Sequence, residues 1–114
     1  MRAARLQAAK AFIVQQIGCN DLSPRTVAAH LGVTPRYVHM LFEQEGTSFT
    51  QWVIKQRLVR SSKMLLDPRM AERSISEIAF AAGFGDLSHF NRTFRRHFGK
   101  TPSDARRAAF AISQ

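Results

Sequence analysis

The stretch SISEIAFAAGFGDLSHFNRTFRRHFG, Ser74 to Gly99, decides the fold, because an earlier stretch reads almost the same way: SPRTVAAHLGVTPRYVHMLFEQEG, Ser23 to Gly46. A shift of 51 lays Ser23 on Ser74, Val27 on Ile78, Ala28 on Ala79 and Gly32 on Gly83. One extra residue, Gly85, moves the shift to 52, which lays Thr34 on Asp86, Val38 on Phe90 and Phe42 on Phe94. Two helices that cross steeply need a small residue where they touch, which Ala28 and Ala79 supply. The turn between them needs a residue at ease with positive φ, which Gly32 and Gly83 supply. Val33 and Phe84 follow as apolar plugs in the angle. Val38, Leu41 and Phe42 in one copy, and Phe90 and Phe94 in the other, make the inward face of each second helix. The chain contains a helix-turn-helix written twice.

Outward from the repeat, helix signals continue and strand alternation is absent. Leu6, Ala9, Ile13 and Ile17 form an apolar stripe on a first helix that stops at Gly18. Ser23-Pro24 and Thr34-Pro35 each pair a cap with a first-turn proline, opening helices expected to end at Leu31-Gly32 and near Glu45. Ser48 caps a long segment from Phe49 to about Leu66, which Asp67-Pro68 terminates. Ser74 and Glu77 make a capping box for a short helix running from Ile75 to Gly83. Asp86 caps the next helix, closed by Gly99, and Thr101-Pro102-Ser103-Asp104 opens the last. The expectation is an all-α chain of seven helices, with no linker long enough to divide residues 1–114 into independent domains.

Composition narrows the function. Of 114 residues, Lys and Arg number 17 against 8 acids, for a net charge of +9. Such an excess calls for a polyanionic partner, nucleic acid or an anionic membrane surface. Arginine outnumbers lysine 13 to 4, which suits bidentate recognition of phosphate or guanine. The cations crowd at the end: Arg92, Arg95, Arg96, Lys100, Arg106 and Arg107, with only Asp104 opposing them there. No apolar run approaches the ~18 residues of a membrane span. The opening MRAARLQAAKAFIVQQIG lacks the apolar core and cleavage site of a signal peptide. Cys19 is alone, so no internal disulfide forms, and a reducing cytoplasm is the expected compartment. His30, His39, His89 and His97 have no HExxH-type spacing and no second cysteine beside them, so no metal or other cofactor is expected. With no phosphate-cradling glycine loop, no paired carboxylates and no nucleophile beside a base, the chain does not read as an enzyme.

With these residues in view, the chain resembles the DNA-binding domain of AraC/XylS-type bacterial transcription regulators over nearly its whole length. The most specific portion is IAFAAGF followed by SHFNRTFRRHFGKTPSDAR. There a Gly-Phe turn leads into a Phe-x-x-x-Phe-x-x-x-Phe-Gly helix and a proline-containing helix start. One departure stands out: the family usually has an aromatic residue before the arginine matched by Arg106, and here it is Ala105. The resemblance implies two homeodomain-like helix-turn-helix subdomains, 1–47 and 68–114, joined by a linking helix in 48–67. Their second helices are expected to enter successive major grooves of double-stranded DNA, about one helical turn apart. It further implies a bacterial, nucleoid-associated regulator and RNA polymerase as a second partner; most such regulators also carry an N-terminal effector-binding and dimerisation domain, expected here outside this chain, while some small ones stand alone.

The candidate site residues follow from the outward faces. On the first reading helix these leave Arg36, Tyr37, His39 and Met40, with Gln44 a turn further on; family positions put Arg36, His39 and Met40 against bases. Arg36 suits a guanine edge and Met40 a thymine methyl. On the second, the family's base-facing positions are Leu87, Ser88, Asn91 and Arg92, with Arg96 one turn on. Gln44, Arg95, Arg96 and Lys100, and the helix starts at Ser74 and Thr101, suit the phosphate backbone. Trp52, Val53, Ile54, Leu58 and Leu65 read as packing, and Arg57 as either an ion-pair partner or a DNA contact. Against sequence-specific binding stand two rivals: charge-only binding of nucleic acid, and a basic amphipathic module for membrane surfaces. Short, capped, glycine-stopped helices argue against the second.

Overall fold

A computed structural model of the chain describes residues 2–111 and contains, in order, α1 (Arg2–Gln15), α2 (Pro24–Leu31), α3 (Pro35–Glu43), α4 (Phe49–Leu66), a 3-10 turn (Pro68–Met70), α5 (Ile75–Ala81), α6 (Leu87–Phe98) and α7 (Pro102–Ala111). There are no strands among the described residues. The chain divides into two compact units, Met1–Gln56 and Arg57–Gln114, and the division falls inside α4.

In the first unit, α1 presents Leu6, Ala9 and Ile13, with Ile17 just beyond its end, to Val27 and Ala28 of α2, Val38, Leu41 and Phe42 of α3, and Phe49 and Val53 of α4. Phe42 lies at the centre of this core, edge-on to Phe49 (5.9 Å between centroids) and tilted against Trp52 (5.7 Å). Three helix ends come earlier than their stop signals. α1 ends before Gly18 because Ile17 turns tightly, its N–H donating to Val14 O. α3 ends at Glu43 because the Glu45 N–H reaches back only three residues, to Phe42 O (3.0 Å), before Gly46 turns the chain at φ +77°. α5 ends at Ala81, and the Gly83 N–H likewise donates only three residues back, to Phe80 O. The 3-10 turn after Asp67 is an addition: Asp67 accepts from the Arg69 N–H (2.9 Å) with Pro68 at the first turn position.

In the second unit the buried residues among those described are Leu58, Ser61 and Leu65 of α4, Ile78 and Ala79 of α5, Ala82, Gly83 and Phe84 of the turn, Phe90 and Phe94 of α6, and Pro102. Phe84, Phe90, Phe94 and Phe98 run as a chain of rings, with successive centroids 5.0, 5.6 and 4.6 Å apart.

The repeat is reproduced at the first-helix caps and at the turns. Ser23 caps α2 by accepting from the Thr26 N–H, while Thr26 Oγ1 accepts from the Ser23 N–H; Ser74 and Glu77 do the same for α5. At the turn, the Val33 N–H donates to Ala28 O at 3.0 Å, and the Phe84 N–H to Ala79 O at 3.0 Å. Gly32 lies at φ +70° and Gly83 at φ +106°, where a β-carbon would strain the backbone. Ala28 and Ala79 are both buried.

Candidate nucleic-acid interface

α3 begins where the Thr34 hydroxyl accepts from the Tyr37 N–H (3.1 Å), with Pro35 supplying a first residue that has no N–H to satisfy. Burying Val38, Leu41 and Phe42 fixes the helix about its axis and turns Arg36 and His39 fully outward. Met40 is half-buried between the two faces. Gln44 is exposed and caps the helix, its N–H donating to Met40 O. Tyr37 sits differently: it is half-buried against the first unit's core, and the Arg5 guanidinium lies over its ring at 5.4 Å. Thr34, Arg36, Tyr37, His39, Met40 and Glu43 line one shallow depression. Glu43 is absent from the sequence-based candidates, yet the signal was available. At about 100° per residue it falls roughly 20° from Arg36, on the same stripe.

α6 is built by the same rules. Asp86 accepts from the Ser88 N–H (2.9 Å), and burial of Phe90 and Phe94 turns Ser88, Asn91, Arg92, Arg95 and Arg96 to the exposed side, while Leu87 is half-buried. Thr93 folds its hydroxyl back onto His89 O and takes no part in that face.

Electrostatics separates the cations of this unit. Asp104 pairs with Arg107 at 3.2 Å and Asp67 with Arg69 at 3.0 Å. The Arg69 side-chain hydrogen bond, helped by its backbone N–H, holds the Asp67 carboxyl below its ordinary value. Glu77 is held low by the Ser74 backbone N–H first and the Ser74 side chain second. Asp67, Glu77 and Asp104 are thus engaged elsewhere. Among the described residues, Arg92, Arg95, Arg96 and Lys100 are exposed and take no part in an ion pair.

Two helix starts look different once their bonds are seen. The Ser74 N–H already donates to Glu77 Oε1 at 3.0 Å, and the Glu77 N–H to Ser74 Oγ. That leaves Ile75 and Ser76 as the unbonded first-turn donors, beside a carboxylate. Thr101 Oγ1 accepts from the Asp104 N–H at 3.1 Å, and Pro102 has no N–H to offer. Arg106 leaves the cationic crowd altogether: Nη1 donates to Arg73 O (2.6 Å) and Nη2 to Met70 O (3.0 Å), so α7 clasps the segment before α5. It does so with Ala105, not an aromatic residue, beside it.

Of the histidines, His30 stacks on Phe12 (4.0 Å between centroids, 16° between planes) and His89 packs beside Phe84. No three His, Cys, Asp or Glu side chains gather as a metal site among the described residues. No described helix is long and apolar enough to cross a membrane.

A family model described as a helix-turn-helix domain matches residues 27–108. The transcriptional activator RhrA of Rhizobium meliloti (strain 1021) is 40% identical over 107 residues, 94% of this chain and 34% of that protein. The transcriptional activator NphR of a Rhodococcus species is 37% identical over 90 residues, 79% of this chain and 26% of that protein. The chain therefore spans about a third or less of these curated relatives. Among solved structures, a transcriptional regulator of Chromobacterium violaceum with an AraC-type DNA-binding domain superposes with a TM-score of 0.81 at 31% identity, covering 91% of this chain and 90% of that one. The C-terminal domain of AraT, a response regulator from Geobacillus stearothermophilus, gives a TM-score of 0.81 at 30% identity, covering 91% and 84%.

Proposed function

The chain belongs to the AraC-type helix-turn-helix DNA-binding domains, a family of regulators and not of enzymes, and from that premise we propose that it reads double-stranded DNA sequence-specifically with both units. α3 and α6 enter successive major grooves, centred about 34 Å apart, and α4 links subdomains 1–47 and 68–114. Arg36, His39 and Met40 meet base edges from the first unit, and Ser88, Asn91 and Arg92 from the second. Arg95, Arg96 and Lys100 take phosphates, joined by Gln44 from α3. Tyr37 and Leu87, each half-buried, contribute shape more than hydrogen bonds. The N–H groups of Ile75, Ser76 and Ser103 assist at the backbone. In the whole protein this domain works in the cytoplasm, at the nucleoid, with RNA polymerase and with an effector-binding and dimerisation region.

The observation that carries the reading is the α6 face, where unpaired Arg92, Arg95 and Arg96 flank exposed Asn91 on a helix whose other side is held by Phe90 and Phe94. Arg and Asn are the side chains whose geometry matches guanine and adenine edges. Charge-only binding needs the arginines but not the asparagine among them.

The test is selection from a random duplex library at about 150 mM salt, where charge-only binding is weak. Two enriched blocks about 10 base pairs apart are expected. Retained binding with no enrichment would replace this reading with charge-only association.

A further inference from the structure

α3 and α6 hold matching places in the repeat, yet their exposed stripes carry opposite charge at one position. With the shift of 52, Arg36 falls on Ser88, Met40 on Arg92 and Glu43 on Arg95. Glu43 and Arg95 each point away from the buried residues of their helix and are exposed. Glu43 stands about 10 Å along the axis from Arg36, in the same depression as His39 and Met40.

Among the described residues nothing accounts for Glu43. Its carboxylate takes part in no ion pair among the described residues, whereas Glu45 nearby is held by Lys10 at 3.5 Å. It is the last residue of α3, at the negative end of the helix macrodipole, where α6 carries Arg95, Arg96 and His97. A phosphate backbone would repel it. A major groove displays two amino donors, and adenine's lies beside an N7 acceptor that repels a carboxylate, so cytosine's amino group is the one a carboxylate accepts from.

We infer that Glu43 is a specificity-determining residue of the first unit: its carboxylate accepts a hydrogen bond from a cytosine amino group and rejects surfaces without that donor. At this one position the two units thereby differ, Glu43 discriminating in the first and Arg95, in the same place of the second, supplying affinity. The inference rests on α3 entering a major groove as proposed above.

The experiment repeats the library selection with the whole chain, with Glu43→Ala and Glu43→Gln, and with Arg36→Ala as a check on the groove reading itself. The wild type is expected to enrich a C·G pair at one position of the first unit's block. Both Glu43 variants are expected to lose that preference, worth roughly 5- to 150-fold for one good base contact, at that position only. They are also expected to bind scrambled duplex more tightly, with unfolding midpoints unchanged or raised. A wild-type block without the C·G pair overturns the inference, as do Glu43 variants with unaltered base preferences or unaltered affinity for scrambled DNA. If Arg36→Ala changes the block and the Glu43 variants do not, the groove reading stands and the inference about Glu43 falls. If none of the three changes it, the first unit does not read bases and both fall.

Discussion

Replacing Arg106 separates a structural cation from the exposed ones proposed to face DNA. Its two guanidinium bonds, to Arg73 O at 2.6 Å and Met70 O at 3.0 Å, tie α7 to the segment that leads into α5. Hydrogen bonds to a charged donor contribute about 1.5–3 kcal/mol each when well buried. One of these is exposed and the other partly buried, so the low end applies to both. Against them stands Arg106 Nε, which is buried without a partner, at a cost of roughly 1 kcal/mol. The net expectation for Arg106→Ala is a loss of about 2 kcal/mol. For a cooperative unit of this size that lowers the melting temperature by roughly 8–16 °C. Arg106→Lys should recover part of it, since an ammonium can reach one carbonyl and has no Nε to strand. The assay pairs thermal unfolding followed by circular dichroism with DNA affinity measured across a salt series. Arg106→Ala should leave the slope of log affinity against log salt unchanged. An unchanged melting temperature together with a slope smaller by about 0.9, the signature of one lost phosphate contact, would refute the clasp and return Arg106 to the DNA.

The remaining expectations use the same pair of measurements. Arg95→Ala, which removes an unpaired exposed cation, should do the reverse of Arg106→Ala: an unaltered melting temperature and a salt slope smaller by about 0.9. Phe90→Ala empties a fully buried position and should cost about 3–5 kcal/mol, while Phe80→Ala, on a side chain 51% exposed, should stay within about 0.5 kcal/mol; denaturant midpoints of the two variants test the contrast. Gly32→Ala meets open space but must hold φ +70°, so it should cost about 1–2 kcal/mol, and Gly32→Asn less. Because Glu77 binds its proton more weakly folded than unfolded, its contribution is present above the ordinary carboxylate value of about 4.3 and is lost as pH falls through the depressed folded value. Unfolding measured from neutral to acid pH should therefore show a shallower acid loss in Glu77→Gln than in the wild type.

Much of this molecule is legible from its sequence because its decisive bonds are short in sequence. Caps at Ser23, Thr34, Ser74 and Asp86 each close on an N–H two or three residues away, so a spacing rule finds them. The turns at Gly32 and Gly83 depend on one backbone angle and one bond five residues back, and the repeat doubles the signal. Apolar periodicity then decides which face of α3 and α6 looks outward, and with it most of the candidate reading residues. Glu43 was within reach of the same periodicity, since it shares a stripe with Arg36.

Which charges are free was decided by tertiary structure. Arg106 and Arg95 are indistinguishable in a run of cations, yet one donates to carbonyls 33 and 36 residues away and the other pairs with no acid among the described residues. Lys10 is drawn to Glu45 and over Trp52, and Arg5 lies over Tyr37, pairings that span more than 30 residues. A guanidinium is satisfied wherever the chain brings an acceptor to it. That meeting depends on how helices distant in sequence pack, and no local spacing encodes it.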